Sequence, residues 1–172
     1  MIKYFSCFNK KMFFYGADKI VINSIFYENP EVLKNVANLF GNQSIIFSLD
    51  YLRNSDNEII VTSNSGKTLH NYNPIDIANK VADYGAGEIL LNCIDRDGVM
   101  GGYDLEFIQK ISNETNLPII AAGGCGLKKH FLEAFNSGAT SVSAGSIFYW
   151  VGESLISIKK YLNEHSIDTR LI

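Results

Sequence analysis

Short apolar runs alternate along this chain with stretches whose apolar positions recur every three or four residues, the pattern of strands alternating with helices. Lys19-Ile20-Val21-Ile22-Asn23 reads as a β-branched strand entered through Gly16-Ala17. Asn29-Pro30-Glu31 opens a helix, with Asn29 as N-cap, Pro30 at the first helical position and an acid at the positive end of the dipole. Val32, Val36, Leu39 and Phe40 keep helical spacing until Gly41 stops it. Residues 44–49 (SIIFSL) form a near-continuous apolar strand ending at Asp50, and residues 58–62 (EIIVT) predict one arm of a small hairpin near Asn64-Ser65-Gly66. Pro74 opens a second helix with Ile77, Val81 and Tyr84 on one face, and residues 88–93 (EILLNC) follow as a strand. Leu105, Ile108 and Ile111 mark a third helix beginning near Asp104. Residues 118–122 (PIIAA) are a strand, 128–136 a helix stopped by Gly138, 140–144 the last strand, and 153–164 a closing amphipathic helix.

Five principal strands joined by helices predict an α/β fold with a parallel sheet, and runs apolar on both faces predict cover on both sides. Gly-Ala precedes a strand at Gly16-Ala17, Gly85-Ala86 and Gly138-Ala139, a weak internal repeat. No linker or low-complexity tract divides the chain, so it reads as one unit. Five strand–helix units are too few to close an eight-unit barrel, which leaves an open sheet or part of a barrel.

Polar and glycine-rich residues gather at the C-terminal ends of the strands: Asn23-Ser24, Asp50, Asp95-Arg96-Asp97-Gly98, Gly123-Gly124 and Gly145-Ser146. Parallel α/β proteins bind ligands at that end. Gly123-Gly124 and Gly145-Ser146 on consecutive strands predict a phosphate cradle, because glycines let backbone N–H groups approach an anion. Either pair alone is equally well a tight turn. Asp50 ends a buried run, where a carboxylate is costly unless paired or functional. Asp95-Arg96-Asp97 reads first as an ion pair within the loop, and second as acid/base chemistry or a metal site. His130 and His165 read as surface residues, and His70 as a loop residue. Cys93 and Cys125 read as small buried thiols, and Phe148-Tyr149-Trp150 as core and rim packing.

Composition narrows the classes. The chain has 172 residues, 47% hydrophobic and 19% charged, with net charge −3 and pI about 5.6. That balance disfavours a nucleic-acid binder. Three cysteines (Cys7, Cys93, Cys125) match no zinc spacing and argue against a disulfide scaffold. No metal or other cofactor is expected. The N-terminal apolar stretch, broken by Lys3, Lys10 and Lys11, is too short to span a bilayer. The expectation is a cytoplasmic protein acting on a small molecule, without a membrane role.

Several segments resemble the cyclase subunit of imidazole glycerol phosphate synthase, an enzyme of histidine biosynthesis. They are GADKIVINS (16–24), ENPEVLKNVANLFG (28–41), SLD (48–50), GAGEILLNCIDRDGVMGGYDLEFI (85–108), LPIIAAGGCG (117–126) and HFLEAFNSGA (130–139). Their order is collinear with that family. The resemblance implies a (β/α)8 TIM barrel with two phosphate sites, in a heterodimer with a glutaminase partner that supplies ammonia. The reaction closes an imidazole ring and releases AICAR from a bisphosphorylated substrate. It implies Asp50 as general acid/base, and Asp97, Gly98, Gly124, Gly145 and Ser146 as one phosphate site beside Gly123. Asn23 and Ser24 would form part of the other, and Asn92 and Asp95 would face the substrate.

By the same resemblance, residues 16–172 correspond to about five C-terminal units of the barrel, a partial barrel, and residues 1–15 to a remnant or altered helix. The first three strands, with a second catalytic aspartate, have no counterpart. Three expectations follow: little cyclase activity of the chain alone, an uncovered sheet face with two open edges, and self-association or a complementing half-barrel. Alternatives are a cyclase-like subunit for amidino-sugar formation in surface glycans and a non-catalytic phosphate-binding remnant.

Overall fold

The computed structural model describes residues 11–170. Cys7 and most of the stretch expected as a remnant helix lie outside them, although residues 11–14 are helical. In chain order the elements are β1 (Ile20–Ile22), α1 (Ser24–Glu28), α2 (Glu31–Phe40), β2 (Ile45–Arg53), β3 (Ile59–Ser63), β4 (Thr68–His70), α3 (Pro74–Asp83), β5 (Glu88–Cys93), α4 (Leu105–Glu114), β6 (Ile119–Ala122), α5 (Lys128–Asn136), β7 (Ser141–Val142), a π-helical turn (Ile147–Val151) and α6 (Leu155–Glu164). The strands form one seven-stranded sheet in the order β4-β3-β2-β5-β6-β7, with β1 also paired to β2. β1, β2, β5, β6 and β7 are parallel, and the β3–β4 hairpin joins antiparallel. A mostly parallel sheet of seven strands is consistent with a TIM-like barrel.

β2 organises the sheet. Along one edge it pairs with β5 over Ile46–Tyr51. Its other edge is divided, because Ile45–Phe47 pair with β1 and Asp50–Arg53 with β3. Side chains alternate between the faces. Ile45, Phe47, Leu49 and Tyr51 are buried against the helices, as are Ile89, Leu91, Ile119 and Ala121 from the neighbouring strands. Phe26 of α1 meets Phe47 edge-on at 5.0 Å between centroids, and Phe107 of α4 meets Tyr51 at 4.5 Å. The opposite face is less covered: Ile46, Leu90 and Ile120 are half-buried and Val21 is 58% exposed. The expectation of cover on both sides is therefore corrected. This second face carries a cavity lined in part by Leu90, Asn92 and Ala122, and its other apolar residues stay partly open.

The Gly-Ala repeat has a local cause. Gly16, Gly85 and Gly138 each take positive φ at the end of a helical segment. The following alanine N–H then donates to a carbonyl five residues back: Ala17 to Met12, Ala86 to Val81, Ala139 to Ala134. This is the Schellman closure, which glycine permits without strain.

One ion pair ties the sheet to the helix layer. Arg53 at the end of β2 donates through Nε and Nη2 to the two carboxylate oxygens of Asp104, at 2.7 and 2.9 Å. Asp104 is 3% exposed and also caps α4 by accepting from the N–H of Phe107.

Several local expectations are corrected. The cap of α2 is Pro30 rather than Asn29, without a side-chain hydrogen bond. His70 lies on β4, where Ser63 Oγ bonds its Nε2 at 2.8 Å and Tyr27 stacks on it at 4.1 Å. His130 is buried, drawn inward by backbone N–H groups that need an acceptor. Tyr149 and Trp150 are 87% and 77% exposed, since the π-helical turn reaches the core only through Ile147 and Phe148. His165 is exposed and Cys93 and Cys125 are buried free thiols, as expected.

Candidate functional site

The alternation that buries Phe47 and Leu49 turns Ser48 and Asp50 to the concave face. Asp50 pairs in register with Asn92 of β5, and Asn92 with Ala122 of β6. Ser48 Oγ donates to Asp50 Oδ1 at 2.6 Å, and Asn92 Nδ2 donates to the same oxygen at 3.1 Å. Among the described residues Oδ2 takes no hydrogen bond, so the carboxylate is held by one oxygen and presents the other. Ser48 was not a sequence candidate. The signal was available: Ser-Leu-Asp in a strand places its first and third residues on one face.

Asn92 links Asp50 to a cavity of about 200 Å³ at the C-terminal ends of β5, β6 and β7. Asp97, Gly123, Gly124, Gly145 and Ser146 line it with Asn92, Cys125 and Ser143. Six sequence candidates thus meet in one place. Gly123 and Gly124 have positive φ, and a Cβ on either would stand 2.3 Å from a backbone oxygen, of Cys93 and Gly102 respectively. No other residue fits that close approach. Among the described residues the N–H groups of Gly124, Cys125 and Gly145 donate to no protein acceptor. Free amides converging on a cavity are what an anion requires.

Other candidates stand apart. Asn23 Nδ2 donates to the carbonyl of Ser48 at 2.8 Å, Ser24 Oγ donates to Asn23, and the N–H of Asn64 at the hairpin turn donates to Ser24. These two residues brace the loop beside Asp50. Asp95 is exposed and accepts from the Cys93 thiol at 3.2 Å. Gly98 is exposed with open space around it. Arg96 makes no ion pair with Asp95 or Asp97 among the described residues, correcting the first reading of that loop. Its Nη1 reaches the carbonyl of Gly102 at 3.4 Å instead, because the loop wraps around Gly102.

The thiols are unsuited to attack. Burial, and the hydrogen bond to Asp95 after it, push the Cys93 thiol up to about 12, and burial raises Cys125 too. Tyr27 is held protonated by burial first and by the Asp50 charge second. Its hydroxyl and that of Thr62, opposite Asp50 on β3, are buried without a partner among the described residues.

The family model described as histidine biosynthesis protein matches residues 8–152. An imidazole glycerol phosphate synthase subunit HisF from a Hydrogenobaculum species is 39% identical over 163 residues, 94% of this chain and 65% of its own length. The protein of that name from a Thermotoga species is 42% identical over 156 residues, covering 91% and 61%, and that from Clostridium botulinum is 40% identical over 158, covering 91% and 62%. The chain thus spans less than two thirds of these relatives. With the match covering most of its residues, the chain belongs to the histidine biosynthesis protein family.

Proposed function

We propose that this chain acts as the cyclase subunit of imidazole glycerol phosphate synthase, using ammonia from a glutaminase partner to form imidazole glycerol phosphate and AICAR. The observation that carries the reading is Asn92, which bonds the Asp50 carboxylate and lines the anion cavity at once. A phosphate in that cavity anchors one end of the substrate, and the free oxygen of Asp50 stands beside the reacting part as general acid/base. The free N–H groups of Gly124 and Gly145, with Ser146, hold the phosphate, while Asp97 borders it. Gly98 leaves the approach open. Asn92 and Asp95 face the substrate, and Asn23 and Ser24 contribute to the second phosphate site.

The same reading makes the sheet the C-terminal part of a (β/α)8 barrel. Support comes from the half-buried apolar residues of the concave face and from β7, which pairs only with β6 among the described residues. A second copy of the chain, or a complementing half-barrel, covers that face. Light scattering on the purified chain should report assemblies larger than a monomer, and a monodisperse monomer with no added partner counts against this part.

The phosphate reading is tested by binding. Wild type should bind the bisphosphorylated substrate, with inorganic phosphate competing for the cavity. Gly124→Ala should weaken binding by roughly tenfold or more, because the new Cβ collides with backbone and cannot adopt the required φ. Equal affinity of the two proteins, or no binding by wild type, overturns the reading.

A further inference from the structure

His130 plays no part in the site as described, yet it is buried at the start of α5 and holds the loop that forms the cavity wall. Its Nδ1 accepts from the N–H of Gly126 at 3.1 Å and from that of Leu127 at 3.3 Å. A ring nitrogen that accepts two N–H groups carries no proton, so the imidazole is neutral with its hydrogen on Nε2. The arrangement resembles half of a capping box. Leu127 has no side-chain acceptor, and the His130 N–H goes to its carbonyl instead.

The consequence lies in how the loop shares out its donors. Consecutive N–H groups run from Gly124 to Leu127. The last two are tied to His130, whereas those of Gly124 and Cys125 are left free beside the cavity. On the far side the carbonyl of Gly124 accepts from the N–H of Gly102 at 2.8 Å. Gly102 lies beside the imidazole, near enough that an added Cβ would reach van der Waals contact at 3.5 Å from Nε2. His130 therefore braces both loops.

We propose that His130 is a positioning residue of the anion cradle: its neutral ring draws the Gly126 and Leu127 amides away and so fixes the Gly124 and Cys125 amides toward a bound phosphate. This rests on the phosphate reading of the cavity. Protonation at Nδ1 sets N–H against N–H and releases the loop. Burial lowers the pKa of the ring, so the brace persists from neutral pH into mild acid. The charges facing the ring are Lys129 and Glu133 on its own helix, which act in opposite directions, and Arg96 on the loop that packs against it through Gly102. The neighbouring Cys125 and Tyr103 stay protonated.

The test uses sulfate, whose charge is constant from pH 5 to pH 8, with wild type, His130→Ala and His130→Asn. The asparagine oxygen takes the place of Nδ1 but does not titrate. At pH 8 the Ala variant should bind sulfate roughly tenfold more weakly, the loss of about one hydrogen bond's worth of order. The Asn variant should stay within about threefold of wild type on the same scale. Hydrogen-exchange protection of the Gly126 and Leu127 amides should hold through mild acid and fall on further acidification in wild type, and stay flat throughout in the Asn variant. That readout decides the matter even if the Ala variant does not fold. Wild-type affinity in a folded Ala variant, or protection indifferent to pH in wild type, overturns the inference and leaves the phosphate reading standing. A wild type that binds neither sulfate nor phosphate overturns both.

Discussion

Asp50→Asn should lower cyclase turnover by about 10²–10⁴-fold, the range general acid–base catalysis supplies. On the cyclase reading proposed above, the measurement is kcat and KM for the bisphosphorylated substrate, with a glutaminase subunit added. Asparagine has the shape of aspartate, and its oxygen still accepts from Ser48 and Asn92. What changes is the free position, where an NH2 replaces the oxygen that exchanges a proton. The loss should therefore fall on kcat, with KM within about threefold, because the residues proposed to hold the phosphate line a cavity that Asp50 does not. A variant that keeps more than a tenth of wild-type turnover would remove Asp50 from the chemistry.

The largest effect on stability should come from Asp104→Ala, at about 3–5 kcal/mol. Removing the carboxylate strands the Arg53 guanidinium, whose side chain is 11% exposed, with its two strongest acceptors gone. The α4 cap disappears in the same step, worth about 1 kcal/mol of that total. Against a net stability of about 5–15 kcal/mol, this is a large share. Urea unfolding followed by circular dichroism would read it as a lower midpoint with an unchanged slope. The pair Arg53→Met with Asp104→Leu should recover most of the loss, because apolar residues of similar volume leave no buried charge. A single variant within 1 kcal/mol of wild type would show that the pair is solvated in solution.

Periodicity was enough to read the parallel strands and the long helices, since each buried face is written as every second or every third-to-fourth residue. The glycines were readable too, because Gly123 and Gly124 occupy positions where no Cβ fits. Other features depend on contacts distant in sequence. His130 reads as a surface residue because its helix is short and charged, and only the amides of the preceding turn explain its burial. Arg96 sits between two aspartates, yet it turns to Gly102 because the loop folds back there. The concave face looked like the inside of a two-sided sandwich because lining a hollow and packing under a helix demand the same residue types. Ser48 was overlooked because a serine in an apolar strand carries no signal until the aspartate two residues on is given a task.

The divided edge of β2 limits how access to Asp50 can be controlled. The β3–β4 hairpin begins its ladder at Asp50 itself and continues to Arg53, whose side chain is anchored to α4. Lifting the hairpin as a lid would tear that ladder and move the carboxylate with it. The hairpin is therefore a fixed wall and not a lid, and a label on its tip should report no opening motion when a ligand binds.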